Sequence, residues 1–331
     1  MTFILKRLLQ GLGVLAGTLT LVFAIFAWVP DPARELAGQN EREEVVQAFR
    51  EKHGLDKPVI SRYFHFIGDL MPFGERNDGS WGIKAPDLGN SYISDRPVVE
   101  AIKDALPATL LLACVAILFA CLVGVAVGLV IAVYCPNKIG DLILSICALG
   151  MSVPSFVVAI LVAWLFGFLL HSYTGLPMTG GLVVVDPFDG PQLALSNLIL
   201  PALTLGIRPL AVIVQLTRNS AVEVMSQPYV RTAKAKGLTK SRIILKHVLK
   251  NSLNPVITAT SGWFASMLAG AVFVEFVFGW KGMGLLMFNS LEKGDLPLVM
   301  GCTIVVASVF VLVNVAVDVI YGVLDPRVRQ S

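Results

Sequence analysis

Six stretches of this 331-residue chain are continuously apolar: 8–29, 106–133, 142–170, 195–216, 256–278 and 296–323. Each is long enough to cross a hydrocarbon layer of roughly 30 Å as a helix. Strands of a membrane barrel alternate apolar and polar residues over about ten positions, and these runs do not, so the helix is the spanning element. The expected fold class is therefore all-α, a polytopic membrane protein with six transmembrane helices. A hydrophobic content of 55% against 15% charged residues is too apolar for a soluble domain of this length.

Charge sets the orientation. Residues 217–252 carry eight Lys/Arg against one acid, Glu223, and a segment that basic stays on the cytoplasmic side. Starting inside behind Lys6 and Arg7, the chain then places the loop 136–141, the basic island and the tail with Arg327 and Arg329 inside, with both termini cytoplasmic. Residues 30–105 fall outside, with ten Lys/Arg and fourteen Asp/Glu; a segment of that length translocates regardless of its positive charge. The first run exceeds the roughly 7–15 apolar residues of a signal peptide, and no small-x-small site follows it, so it reads as a retained anchor. The domain division expected is 1–29 for the cytoplasmic N-terminus and first helix, 30–105 for the extracytoplasmic segment, and 106–331 for a five-helix membrane domain.

Within the outer segment, 41–53 and 59–70 both show apolar residues at helical spacing, separated by Gly54-Leu-Asp-Lys-Pro58. Two amphipathic helices would make a small cap, for which a protective role fits as well as a binding one. Residues 74–92, rich in Gly, Asp, Asn and Pro, read as loop.

Several chemistries lack the residues they need. The five cysteines sit in or beside the spans, where thiols pack as small hydrophobes, and the four histidines have no ligand spacing, so no metal, cofactor or catalytic residue is expected. No GxxxxGK[ST] occurs, so ATP chemistry would have to come from a partner. Inside the spans, Pro154 interrupts the third run and Pro201 and Pro209 the fourth; a proline taken singly is most simply an ordinary kink. Ionisable groups at membrane depth are Arg208, Glu275 and Asp318. Glu275 and Asp318 lie near span ends, where a structural role at the interface is expected. Arg208, between Gly206 and Pro209, is deep enough to line a cavity. Pro154, Gly206, Arg208 and Glu275 are the pathway candidates.

The island itself reads as two short helices. Gly237 stops the first by taking a left-handed conformation. Thr239 caps the second, with Leu238 and Ile243 as a staple. Ala233 is expected at the surface beside Gly237, where small residues admit a partner's backbone, and Ile243, Ile244 and Val248 form a narrow apolar stripe. A knob made for a protein groove and a helix lying on the membrane have the same ingredients.

These residues resemble a family, the membrane-spanning permease subunits of bacterial ABC importers in the dipeptide, oligopeptide and nickel class. Tyr229-Val-Arg-Thr-Ala-Lys-Ala-Lys-Gly-Leu-Thr239, with His247-Val-Leu-Lys-Asn251 and Pro255, is similar to that class's EAA loop. Gly54-Leu-Asp-Lys-Pro58, Asp87-Leu-Gly-Asn-Ser91, Pro107-Ala-Thr109, Met151-Ser-Val-Pro154, Glu275-Phe-Val-Phe-Gly-Trp280, Val313-Asn-Val-Ala-Val-Asp318, Tyr321-Gly322 and Asp325-Pro-Arg-Val-Arg329 follow in family order. Arg231 and Thr232 replace the general motif's Glu and Ala, as in the peptide class. Lys281 stands where proline is usual, Pro30-Asp31-Pro32 lacks the usual glycine, and the outer loop around 68–84 is longer.

The resemblance implies the type I importer permease fold in an inner membrane, and a subunit with no enzyme activity of its own. Its implied partners are a second homologous permease, two ABC ATPase subunits and an extracytoplasmic solute-binding protein, with membrane lipid around the spans and no nucleic acid. The implied function is an ATP-driven pathway for peptides or a related small solute. By the same likeness, coupling to the ATPase falls to Arg231, Thr232, Ala233, Lys234, Ala235, Lys236, Gly237 and Leu238. The competing reading is an ion-coupled secondary transporter, which would need buried carboxylates near the midplane.

Overall fold

The computed structural model describes residues 2–27, 33–34, 43–75 and 80–324, with the side chains of 2–6, 8, 75, 137, 269 and 318–324 left out of that description. Pro30-Asp31-Pro32, the Asp318 side chain, Arg327 and Arg329 therefore lie outside the described residues.

Helix α1 spans Thr2–Ala27. The two outer amphipathic segments form α2 (Glu43–Lys52) and α3 (Val59–Leu70), divided by Gly54 at φ +63°. The stretch expected as loop instead pairs β1 (Phe73–Glu75) with β2 (Trp81–Ile83), antiparallel, Phe73 opposite Ile83. Helix α4 (Val98–Tyr134) starts two turns before its apolar run. Helix α5 (Asn137–Ser152) and helix α6 (Ser155–Val162) follow, and α6 continues as a π-helical turn, Ala163–Leu169, into the single turn α7, His171–Thr174. A second hairpin joins β3 (Val183–Asp186) to β4 (Gly190–Leu193), its turn held by Asp186 Oδ1, which accepts from the N–H groups of Phe188 and Asp189 at 2.8 and 3.0 Å. Helix α8 is Ser196–Ser226, α9 Pro228–Ala235 and α10 Lys240–Ile243, the last running through a π-helical turn, Ile244–Leu249, into α11, Lys250–Phe278. Helices α12 (Met283–Glu292) and α13 (Leu296–Leu324) close the chain.

Among the described residues, four helices are long and apolar enough to cross a membrane, and six spans result when each of two bent pairs counts as one. The bend between Lys138–Ser152 and Ser155–Leu169 is 104°, which corrects the expectation of an ordinary kink at Pro154. Proline drives the residue before it out of the helical region, and both Val153 (ψ 134°) and Pro154 (ψ 139°) are extended. Pro201 and Pro209, by contrast, sit inside an unbroken α8.

The chain divides into two compact units. In the first, residues 1–107 and 285–331, α1 packs along α13. Asp295, buried just before α13, accepts from the Ser91 hydroxyl and, at 3.1 Å, from the Tyr92 N–H. The rings of Phe49, His53 and Tyr92 meet in tilted and edge-to-face contacts with centroids 4.4–5.6 Å apart, giving the outer cap a small aromatic cluster. In the second unit, residues 108–284, α8 is the central helix, packed by α5, α6 and α11. Glycines let helices α4 and α8 meet closely: a Cβ on Gly128 would stand 2.8 Å from the Val214 carbonyl oxygen, and one on Gly206 2.9 Å from that of Ala116. Small residues of this kind are how membrane helices gain van der Waals contact where lipid offers no hydrophobic drive.

Candidate coupling surface and pathway residues

The basic island is a folded knob. Gln227 is extended, and Pro228 opens α9 at the position where a missing N–H costs nothing. The helix ends in a Schellman closure: the Gly237 N–H donates to the Lys234 carbonyl at 3.0 Å and the Leu238 N–H to that of Ala233 at 3.3 Å, with Gly237 at φ +77°. Nothing lies within 4 Å of where a Cβ on Gly237 would be. Thr239 precedes α10 in extended conformation, but its side chain makes no capping bond.

Burial reverses part of the sequence reading. Ala233, Ile243 and Val248 are not surface; with Val230 they are buried against Ala221 and Val224 of α8, with Leu129, Ala132, Met225 and Leu238 packed around them. The physical reason is anchorage, because two short helices in water have too little ladder to stand alone and need an apolar face rooted in the bundle. What remains exposed is Arg231, Thr232, Lys234, Ala235, Lys236 and Gly237, with Lys240, Arg242 and Leu245 beside them. Leu238 is half-buried. Lys240 lies 4.3 Å from the Tyr134 ring centroid, so it is not simply a solvated charge. Arg218 pairs with Asp141 at 3.3 Å at the base of the knob.

The pathway candidates separate. Arg208 is exposed, with Nη2 3.5 Å from the carbonyl oxygen of Met151, three residues before Pro154. Beside them is a cavity of about 50 Å³ whose lining includes Ser155, Thr204, Trp263, Ser266 and Gly270. That volume holds a water or two, not a peptide. Gly206 is buried in the α4–α8 contact and is not part of that lining.

Glu275 corrects the expectation of a carboxylate reaching the interface, because it is fully buried. One oxygen accepts from the Thr109 hydroxyl at 2.6 Å and the other from the Gly284 N–H at 2.7 Å. Thr109 Oγ1 accepts in turn from the Met283 N–H at 2.8 Å. Trp280, also buried, donates from Nε1 to the Ala108 carbonyl at 3.1 Å. These bonds latch the turn 279–284 onto helix α4. The Pro107-Ala-Thr109 and Glu275…Trp280 motifs were both visible in the sequence; their meeting was not, because 166 positions separate the paired residues. Among the described residues no group of three or more metal-ligating side chains occurs.

Comparison with known proteins bears on the whole chain. Residues 124–330 match the family described as "Binding-protein-dependent transport system inner membrane component", and residues 1–113 match "Binding-prot-dependent transport system membrane comp, N-term". The dipeptide transport system permease protein DppB of Escherichia coli (strain K12) is 35% identical, over 99% of both chains. The glutathione transport system permease protein GsiC of Escherichia coli O6:H1 is 33% identical over the full length of both. An inward-facing structure of the MetNI methionine ABC transporter is similar in fold, with a TM-score of 0.55 at 18% identity, covering 69% of this chain and 97% of that one.

Proposed function

The chain belongs to the binding-protein-dependent transport system inner membrane components, and from that membership we propose that it is one of two permeases forming the pathway of an ATP-driven peptide importer. Residues 1–29, 30–105 and 106–331 would serve as anchor, extracytoplasmic segment and pathway-forming domain. The basic island faces the cytoplasm, as do both termini. There α9 seats in a cleft of an ABC ATPase subunit, one of two, while a solute-binding protein delivers the substrate on the opposite face.

The observation that carries this reading is the division of labour within the knob. Its apolar face is consumed by the cluster around Val230 and Val248, which joins it to α8 and α4. Its exposed face presents Arg231, Lys234, Ala235, Lys236 and the open Gly237 to a partner. A push on that face reaches α8 through packed side chains. Arg208 lies on the same α8, next to the end of α5 and the break at Pro154, and Arg208 and Pro154 are assigned to the pathway wall. Glu275 is assigned to the latch, since both its oxygens accept internal hydrogen bonds; an ion-coupled carrier would need buried carboxylates near the midplane, and Glu275 lies one turn from the end of α11.

The test is uptake of labelled di- and oligopeptides into vesicles holding this subunit, its partner permease, the two ATPases and the binding protein. Uptake that requires ATP and survives a protonophore is expected. Uptake that ignores ATP and collapses with the ion gradient overturns the assignment, as does peptide uptake by this subunit alone.

A further inference from the structure

Helix α3 buries none of its residues, and its exposed apolar side is continuous with the first hairpin. Tyr63 and Phe66 face Phe23 of α1, with centroids 5.1 and 6.2 Å away, and the Tyr63 and Thr20 hydroxyls are 2.7 Å apart. Arg62, His65 and Asp69 line a cavity of about 440 Å³ that they share with Phe23 and Phe26 of α1 and with Lys52, His53 and Tyr92. Ile60, Phe64 and Met71 are left uncovered, and Phe73, Trp81 and Ile83 extend the patch, with Trp81 83% exposed.

Depth identifies what covers it. Thr20 lies inside the apolar window Leu9–Ala27 of α1. At about 1.5 Å per residue, Thr20 is about 10 Å short of the end of that window. The hydrogen bond to Thr20 therefore holds α3 at the boundary between hydrocarbon and headgroups. An amphipathic helix lying in that plane immerses its apolar face by about 5–10 Å. Tryptophan favours the same layer because its ring is apolar and its N–H is polar, and α1 exposes Leu21 and Ile25 at this level.

We propose that α3 and the β1–β2 hairpin form an interfacial anchor, lying in the phospholipid surface at the Ala27 end of α1 with Ile60, Phe64, Met71, Phe73, Trp81 and Ile83 immersed. The partner is lipid rather than protein. The anchor holds the outer cap at a set height above the bilayer, with the cationic and acidic residues of the cavity facing water.

The experiment uses the assembled transporter in phosphatidylethanolamine and phosphatidylglycerol nanodiscs, in a background whose native cysteines are replaced and whose uptake is intact. Nitroxide labels are placed through Ile60→Cys, Phe64→Cys, Trp81→Cys and, on the polar edge, Ser61→Cys and His65→Cys. Relaxation by oxygen and by a water-soluble nickel chelate is then compared. Positions 60, 64 and 81 are expected to favour oxygen several-fold, and 61 and 65 the chelate, whether or not the binding protein is present. Chelate access at 60, 64 and 81 would place the patch in water. Exclusion of both relaxants would place it against protein. Either result overturns the proposal. A label-free arm guards against local misfolding: lipids brominated near the carbonyls should quench tryptophan emission less in Trp81→Phe than in the unaltered complex, and equal quenching also overturns it.

Discussion

Gly237 is a residue whose backbone, rather than its surroundings, resists substitution. Its φ of +77° is the left-handed conformation, and the space where a Cβ would go is open. A side chain there costs about 1–2 kcal/mol of backbone strain and, on the proposed docking face, would stand in the way of an ATPase. Gly237→Val is therefore expected to insert and accumulate normally while uptake falls severely, with Gly237→Ala milder. Lys240→Ala forfeits about 0.5–1 kcal/mol of cation–π contact with Tyr134 at an exposed site and should be milder still. Uptake, complex assembly and ATP hydrolysis in reconstituted vesicles check the order. Thr217 gives the opposite sign. Its hydroxyl is buried and, among the described residues, has no hydrogen-bond partner. Leaving such a group unsatisfied costs about 1–3 kcal/mol, so Thr217→Val should raise the melting temperature of the purified complex and leave uptake unchanged. Glu275→Gln should lower that temperature, because both carboxyl oxygens face donors and an amide replaces one acceptor with a third donor.

At the level of elements, the sequence was most legible where the physics is local. The spans, the two cap helices and the stop at Gly237 each follow from periodicity or from one residue's backbone preference. Contacts between distant segments were not legible. Ile243 and Val248 look the same on paper whether their stripe meets a partner or the parent bundle, and the choice was made by Ala221 and Val224 on a different helix. Pro154 could be seen to interrupt a helix, but its 104° consequence depends on Val153 joining it in extended conformation. The hairpins are not legible in the sequence because strands of three and four residues leave almost no alternation to read. If the buried stripe roots the knob, Ile243→Ala should cost about 2–5 kcal/mol locally. It should speed tryptic cleavage at Arg231 and Lys234 well before the spans melt, as limited proteolysis of the detergent-solubilised complex would detect.

For the whole molecule, orientation is the premise on which the coupling assignment stands. In a cysteine-free background, Gln47→Cys should react with an impermeant thiol reagent added outside cells whose outer membrane has been made permeable, and Lys240→Cys should not. Labelling at position 240 under those conditions would invert the topology and remove the knob from the ATPase side. The broken third span also bears on biogenesis. Its two arms, Lys138–Ser152 and Ser155–Leu169, are each about 22 Å long at 1.5 Å per residue, short of the roughly 30 Å needed to cross alone. Neither arm can settle in the bilayer as an independent helix when it leaves the ribosome. The first arm leans on α8 and the second on α8 and α11, both synthesised later. A nascent chain halted shortly after Leu170 should therefore hold its third span less firmly than its first two, and release of α8 and then α11 should be the steps that commit the fold.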